Sequence, residues 1–242
     1  MKTPHLIARF LTVLLVSLSV SALRAQTVIV DDGSTFTPGA DDVHNLQGYS
    51  SAYDGGRDFT NNYPVPGQTF TTGGASSSFD LNAITLQEQS AGLGYESASV
   101  TYALAVYSVS GSSLTYIGGG SFTFNGTGAP VGDYVTFNLA TPVVLAADTQ
   151  YAFTLSANGG YFGLDGGYPS NDTYSGGQAI TVSYGDGSNP TSGGTITTPS
   201  QTPYDRNFDV ALSAAPEPST WAMMLGGVVL LFSLLRFRRR TL

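Results

Sequence analysis

Few ionisable side chains of this sequence have the types and spacing that catalysis requires. A serine hydrolase needs a histidine base, and His44 is the only histidine outside the N-terminal segment. Asp41 and Asp42 are too close to it in sequence to be diagnostic of a triad, and no Gly-x-Ser-x-Gly segment is present. Glu88 and Glu96 could form the carboxylate pair of a glycosidase. We expect His44 to be a surface residue and rank a glycoside hydrolase third among the functions.

Calcium is the metal ion that the sequence could best hold. Hard cations take Asp, Asn and backbone carbonyl oxygens on glycine-rich turns, and Asp165 and Asp172 flank such a segment. Asp31 and Asp32 precede another, and neither matches the roughly 12-residue EF-hand loop. Aspartates are also favoured in turns by local hydrogen bonds, so solvated turn residues are the simpler interpretation. The chain has no cysteine, which excludes disulfides, thiolate metal sites and a cysteine nucleophile. We expect no other cofactor.

Exposed aromatic rings could bind carbohydrate. Several tyrosines lie in or beside loops rich in Gly, Asn and Asp, where a ring could stack on a sugar face. The three that we single out are Tyr161, Tyr168 and Tyr174. The alternative is that these rings fill the cores of their own loops.

A Pro-Glu-Pro triplet near the C-terminus precedes an apolar run and an arginine cluster. Pro216 and Pro218 oppose helix formation and favour an extended backbone, and Glu217 offers a charge to an electropositive pocket. Residues 220–235 are uncharged and fit a short transmembrane helix. The positive-inside rule places residues 236–242 in the cytoplasm. The arginines of that tail are Arg236, Arg238, Arg239 and Arg240.

The N-terminal residues 1–25 are typical of a secretory signal peptide. A basic start is followed by an apolar stretch over residues 10–20, which is too short to cross a bilayer. Cleavage could follow Ala22 or Ala25, and the alternative is an uncleaved anchor.

The exported body is strongly acidic. All 17 acidic residues lie between Asp31 and Glu217, where Arg57 and Arg206 are the only basic residues, so this part carries a charge of −15. Phosphate backbones and anionic lipid heads would repel it. Nucleic acid is therefore excluded as a partner, whereas cations and neutral, hydroxyl-rich polymers are compatible.

The sequence predicts that strands carry these candidate residues. Residues 100–106, 135–139 and 151–155 alternate between apolar and small or polar side chains, which is the period of a strand. Gly111 and residues 118–120 are expected to form tight turns between strands. Further strands are predicted over residues 27–30, 68–71, 79–86, 114–117, 121–124, 161–164, 179–184 and 208–212.

About ten short strands at this spacing predict an all-β fold: a single antiparallel β-sandwich, jelly-roll-like in outline, over residues 26–212. Residues 31–67 show little alternation, and residues 185–203 are expected to form a mobile surface loop. Residues 213–219 are predicted to be a linker that carries the Pro-Glu-Pro triplet.

The C-terminal segment resembles a known sorting signal. The order of Pro216-Glu217-Pro218, a short apolar helix and the terminal Arg-Phe-Arg-Arg-Arg is similar to the PEP-CTERM signal of Gram-negative envelope proteins, a segment also catalogued as the ice-binding protein C-terminal domain. The resemblance implies an exosortase as partner, which would recognise the triplet and remove or exchange the helix. It also implies a cell that makes exopolysaccharide or biofilm matrix. The alternative is a permanent membrane anchor.

The body resembles, more loosely, the exported β-rich domains catalogued as choice-of-anchor modules. The likeness rests on three stretches, at residues 68–87, 102–118 and 134–157, of which the last combines a strand, a Thr-Pro corner, an apolar strand and a tight Ala-Ala-Asp-Thr turn. It implies no catalytic residues.

The sequence therefore favours a non-enzymatic protein of the envelope or extracellular matrix with a structural or adhesive role. The alternative is a carbohydrate-binding module that recognises envelope polysaccharide.

Overall fold

The computed structural model describes residues 25–31, 35–46, 53–56, 65–87, 100–124, 132–158, 162–165, 174–182, 194–197, 199–201, 204–215, 226–229, 231 and 236. Apart from helical residues at 226–229, 231 and 236, the regular elements of this part of the chain are strands. In chain order they are β1 (Thr27–Asp31), β2 (Val43–Asn45), β3 (Tyr53–Gly56), β4 (Val65–Thr71), β5 (Ser78–Gln87), β6 (Val100–Ser110), β7 (Ser113–Phe124), β8 (Tyr134–Ala146), β9 (Gln150–Asn158), β10 (Phe162–Asp165), β11 (Ala179–Val182), β12 (Thr195–Thr197), β13 (Ser200–Gln201) and β14 (Phe208–Ala214).

The strands form two large antiparallel sheets and one two-stranded ribbon. The five-stranded sheet has the order β1-β8-β5-β14-β2, the seven-stranded sheet has the order β12-β7-β6-β9-β4-β11-β13, and β10 pairs with β3. The strand order is that of a jelly roll. One of its four-stranded sheets corresponds to β2-β14-β5-β8 in the five-stranded sheet, and the other corresponds to β4-β9-β6-β7 in the seven-stranded sheet. The all-β, antiparallel prediction is confirmed.

One apolar core lies between the two large sheets. Strand β9 shows how it forms, since Tyr151, Phe153 and Leu155 alternate with Ala152 and Thr154 and belong to this core. Rings from opposite sheets meet there: the Phe153 and Phe208 centroids are 5.8 Å apart, and those of Phe122 and Phe137 are 5.3 Å apart. Burying each such side chain stabilises the fold by about 1.5–3 kcal/mol.

The predicted turn at the triple glycine is wrong. Residues 118–120 lie inside β7, which continues from Ser113 to Phe124. The pairing with β6 shifts at this point, because Val106 faces Gly118 while Tyr107 faces Tyr116. The glycines allow this β-bulge and a close approach of two backbones rather than a chain reversal.

The predicted Thr-Pro corner is likewise a bulge within one strand. Strand β8 runs through it without interruption, but its pairing with β5 shifts, so that residues 139–142 face Asn82 alone. Pro142 lies in this bulge, where its missing N–H group removes no ladder hydrogen bond. The tight turn that follows is confirmed; it carries Asp148 with φ of 47° and links the five-stranded sheet to the seven-stranded sheet.

Two segments predicted to lack pattern contain short strands. Residues 31–67 contribute β2 and β3, and the predicted mobile loop over residues 185–203 contributes β12 and β13 to the seven-stranded sheet. Strands of two to four residues are too short to show a period in sequence, so pairing with a longer strand decides them.

Strand β14 also extends beyond the predicted end of the body at residue 212. It includes Ala214, and the Ala215 N–H donates to the Ser78 carbonyl oxygen over 3.0 Å. The first two residues of the predicted linker therefore belong to the sheet.

The predicted terminal segments fall mostly outside the described residues. These include residues 1–24 of the predicted signal peptide and most of the predicted helix over residues 220–235. Within the part of the chain that the structure describes, no helix has the length and apolar character needed to cross a membrane. Both segments stay predictions.

Candidate functional site

A cleft of about 550 Å³ lies on the face of the seven-stranded sheet that points away from the core; we name it the outer cleft. Strands β4, β7 and β11, the β6–β7 hairpin loop and residues 175–178 surround it. Its described lining is Thr69, Thr71, Val109, Gly111, Ser112, Leu114, Gln150, Ser175, Gly176, Gly177, Gln178, Ile180, Pro199 and Gln201. None of these side chains is ionisable.

A second apolar cluster forms the floor of the outer cleft. Leu114 and Ile180 are buried within this cluster, and Val109 packs against it. Next to the floor, the rings of Tyr107 and Tyr116 meet edge to face with centroids 6.0 Å apart. Burial raises the pKa of the Tyr116 hydroxyl. This ring is therefore uncharged, like the side chains that line the cleft.

Residues 175–178 form one wall and are fastened to β4. The Thr71 hydroxyl donates to the Gly176 carbonyl oxygen over 2.7 Å, and the Thr69 hydroxyl accepts from the Gln178 N–H over 2.8 Å. A Cβ atom at Gly177 would lie 2.0 Å from the Thr69 carbonyl oxygen, so this contact requires glycine. The wall is therefore preformed.

The polar groups left to face the cleft are mainly side-chain amides. The hydroxyls of Thr69 and Thr71 already bond to the wall. The side chains of Gln150, Gln178 and Gln201 make no hydrogen bond to another described residue. Each amide can donate and accept.

A buried polar network fixes the start of β14 against β4, beside the outer cleft. The Gln68 side-chain N–H donates to Asp205 over 2.9 Å, and the Arg206 backbone N–H donates to the Gln68 side-chain oxygen over 3.0 Å. The fully buried Arg206 guanidinium donates from Nε to the Gly67 carbonyl oxygen over 2.8 Å. This network uses the second of the two arginines of the body for structure.

Tyr174 is half-buried and packs on the main core. Its N–H donates to Asp205 Oδ2 over 2.9 Å, and its hydroxyl accepts from the Thr71 N–H over 3.1 Å. Its ring meets Phe208 edge to face at 5.3 Å. Burial, and then the charge of Asp205, raise the pKa of Tyr174, whereas the bond from Thr71 opposes this. The geometry is that of a ring that closes the end of the main core.

The other predicted ligand residues lie largely outside the described residues. Tyr161, Tyr168 and Asp172 fall there, and Asp165 ends β10 without a described side chain. In the described part of the chain, no three side chains of His, Cys, Asp or Glu come together as metal ligands. Carbohydrate stacking by the three tyrosines and calcium binding by the two aspartates stay predictions.

The sequence reasoning missed Asp209. This residue lies opposite His44 in the pairing of β14 with β2, and its side chain has no exposed surface. Neither carboxylate oxygen has a hydrogen-bond partner among the described residues. Burial, and then the charge of Asp42, raise the pKa of Asp209 to about 7. Because Phe208 and Val210 face the core, alternation along β14 predicts that the Asp209 side chain points to the outer face of the sheet. No local sequence pattern shows that this outer face is covered.

Asp209 is inaccessible, and its neighbour Asp42 is already paired. A side chain without exposed surface cannot touch a dissolved substrate, and Asp42 already accepts hydrogen bonds from the Gly39 and Leu212 N–H groups over 2.6 and 2.8 Å. His44 is exposed, as expected, and the candidate pair Glu88 and Glu96 lies outside the described residues.

The comparisons with known proteins identify the C-terminal segment. A family model described as the PEP-CTERM protein-sorting motif matches residues 214–240, so the match begins at the last residue of β14. The resemblance drawn from the Pro-Glu-Pro triplet, the apolar run and the arginine cluster is confirmed. The motif implies exosortase-dependent sorting of an exported protein. No curated protein matches the chain.

Proposed function

We propose that this chain is a non-enzymatic protein of the cell envelope or extracellular matrix, with a structural or adhesive role among exopolysaccharide or biofilm polymers. The single observation that carries the proposal is the sorting motif over residues 214–240, joined directly to a β-sandwich. An exosortase is the processing partner.

The proposed route uses both termini. Residues 1–25 direct export and are removed, and residues 220–235 hold the protein in the membrane until the exosortase acts. Arg236 and the arginines that follow it keep the tail in the cytoplasm. The Ala215 N–H donates to the Ser78 carbonyl oxygen, so the sheet reaches the residue that directly precedes Pro216.

The charge of the body supports release rather than retention at the membrane. With −15 between Asp31 and Glu217, the sandwich is repelled by anionic lipid heads.

The one described carboxyl whose pKa is raised to about 7, that of Asp209, is sealed from solvent. That burial supports a non-enzymatic role.

A carbohydrate-binding module is the second candidate. The outer cleft favours it, because a preformed cleft with neutral amides over an apolar floor suits a hydroxyl-rich ligand.

Cell fractionation tests the sorting proposal. In a strain with exosortase, we expect the protein to leave the membrane fraction in a shortened form; in a strain lacking the enzyme, it should stay there at full length. In the strain with exosortase, the double variant Pro216→Ala, Pro218→Ala should stay in the membrane fraction at full length. Without the two prolines the segment is no longer held extended. Pro38→Ala is the matched control and should be processed normally. Equal release with and without exosortase would refute the proposal.

A further inference from the structure

We infer that the outer cleft binds a segment of a neutral polysaccharide, held by Gln150, Gln178 and Gln201 above the floor of Leu114 and Ile180. The inference rests on the proposed function in one respect, since an exported matrix protein meets such polymers. It goes further by assigning a site and a chemical class of ligand.

The floor and the rim match the two kinds of surface on a sugar ring. Leu114 and Ile180, at 1% and 0% exposure, seal the bottom of the cleft, and the partly exposed Val109 and Pro199 supply its accessible apolar surface. The three amides make no hydrogen bond to another described residue and can donate to, and accept from, hydroxyl groups. The β6–β7 hairpin loop adds the exposed Ser112 at the rim.

The site is preformed, which lowers the entropic cost of binding. Thr69 and Thr71 fasten the wall over residues 176–178 to β4 by hydrogen bonds of 2.7–3.1 Å. Its volume of about 550 Å³ lies in the range of roughly 300–1,000 Å³ that is typical of ligand sites.

Charge selects the neutral class of polymer. The described lining has no cation that could neutralise an acidic sugar, and the body around it carries −15 between residues 31 and 217. A polyuronate would therefore be repelled, whereas a neutral chain has no electrostatic cost.

The outer cleft lies at the end of the sandwich from which the sorting motif leaves. The rim residue Thr71 is followed by Thr72, and the Thr72 N–H donates to the Thr149 carbonyl oxygen. Two residues before Thr149, the Ala147 N–H donates to the Ser77 carbonyl oxygen. The next residue, Ser78, accepts the hydrogen bond from Ala215. A polysaccharide in the outer cleft would therefore lie near the point at which the membrane holds the protein before sorting.

Affinity electrophoresis of the full chain, solubilised in detergent from a strain lacking exosortase, tests the inference whether or not sorting occurs as proposed. The probes cast into the gel are dextran, a galactomannan and polygalacturonate. We expect at least one neutral polymer to retard the protein and polygalacturonate to leave its mobility unchanged. Retardation by neither neutral polymer, or equal retardation by polygalacturonate, would overturn the inference.

Matched variants locate the binding. The triple variant Gln150→Ala, Gln178→Ala, Gln201→Ala should weaken binding at least about tenfold, since each amide contributes a hydrogen bond. Its melting temperature should be unchanged, because these side chains bond to no other described residue. Gln26→Ala is the control, as Gln26 donates to the Ser121 carbonyl oxygen away from the cleft. Wild-type affinity in the triple variant would contradict the assignment.

Discussion

At the scale of single residues, Asp209 is the buried group with the clearest energetic consequence. It is a carboxyl with no exposed surface, no hydrogen-bond partner among the described residues and a second carboxyl, Asp42, as its electrostatic neighbour. Burial disfavours its charged form, so the folded protein holds a proton there that the unfolded chain releases.

The sign of the resulting pH dependence follows from linkage. The unfolded carboxyl titrates near 3.8 and the folded one at a pKa of about 7, so the folded state binds the additional proton between these values. The contribution of Asp209 to stability is therefore present below pH 3.8, falls by about 1.4 kcal/mol per pH unit above it, and is lost by about pH 7.

We predict that Asp209→Asn removes this dependence, because the amide carries no charge to desolvate. Relative to the wild type, the variant should gain stability as the pH rises from about 4 to 7 and keep a constant advantage above that. Urea denaturation at a series of pH values measures the difference. Asp80→Asn, at a partly exposed carboxyl of β5, is the control. A pH-independent difference between Asp209→Asn and the wild type would contradict the prediction.

At the scale of elements, alternation identified the long strands but not their irregularities. Residues 135–139 and 151–155 were predicted as strands from period two and lie in β8 and β9. The glycines at 118–120 are turn formers by local preference, yet pairing on β6 keeps them in a strand. Local composition cannot show such pairing, since the partner residues are distant in sequence.

Strand β7 depends on Gly119 in particular. This residue has φ of 145°, and a Cβ atom there would lie 2.1 Å from the Leu104 carbonyl oxygen of β6. We predict that Gly119→Ala lowers the free energy of unfolding by about 2–4 kcal/mol, because the backbone must move and a ladder hydrogen bond is strained. Denaturant titration gives the value.

Gly73→Ala is the matched control for this substitution. No atom lies within 4 Å of a Cβ built at Gly73, so the change should stay within about 0.5 kcal/mol. Equal effects of the two substitutions would show that the close approach to β6 is not required.

At the scale of the whole molecule, the position of Ala215 decides which end of the sandwich would face the membrane if the C-terminal helix anchors the protein before sorting. Residues 72–78, 147–149 and 215 meet at one end, which we name the proximal end. If residues 220–235 span the membrane, the four residues 216–219 reach at most roughly 14 Å when extended. The exosortase must then act in the narrow space beneath the proximal end.

Cysteine labelling measures this orientation, because the chain has no native cysteine. In a strain lacking exosortase, Ala75→Cys at the proximal end should react several-fold more slowly with a maleimide attached to a large polyethylene glycol chain than Thr123→Cys. Both positions are exposed. Ser113 follows Ser112, which lines the cleft with Thr71 and Gln150 near the proximal end, and Thr123 lies about 33 Å further along β7. The two rates should converge after solubilisation in detergent. Equal rates in the membrane would contradict the orientation.

Properties encoded by neighbouring residues could be predicted from the amino-acid sequence. Alternating side chains determine the strands, the acidic composition determines the charge, and Pro216-Glu217-Pro218 with its apolar and basic continuation determines the sorting motif. The folded structure was needed to show which faces are covered, where the outer cleft opens and that Asp209 is buried. These properties arise from residues far apart in the chain, such as Gln68 and Asp205, which are 137 positions apart and hydrogen-bonded. The physical reason is that burial depends on long-range packing, which no local pattern records.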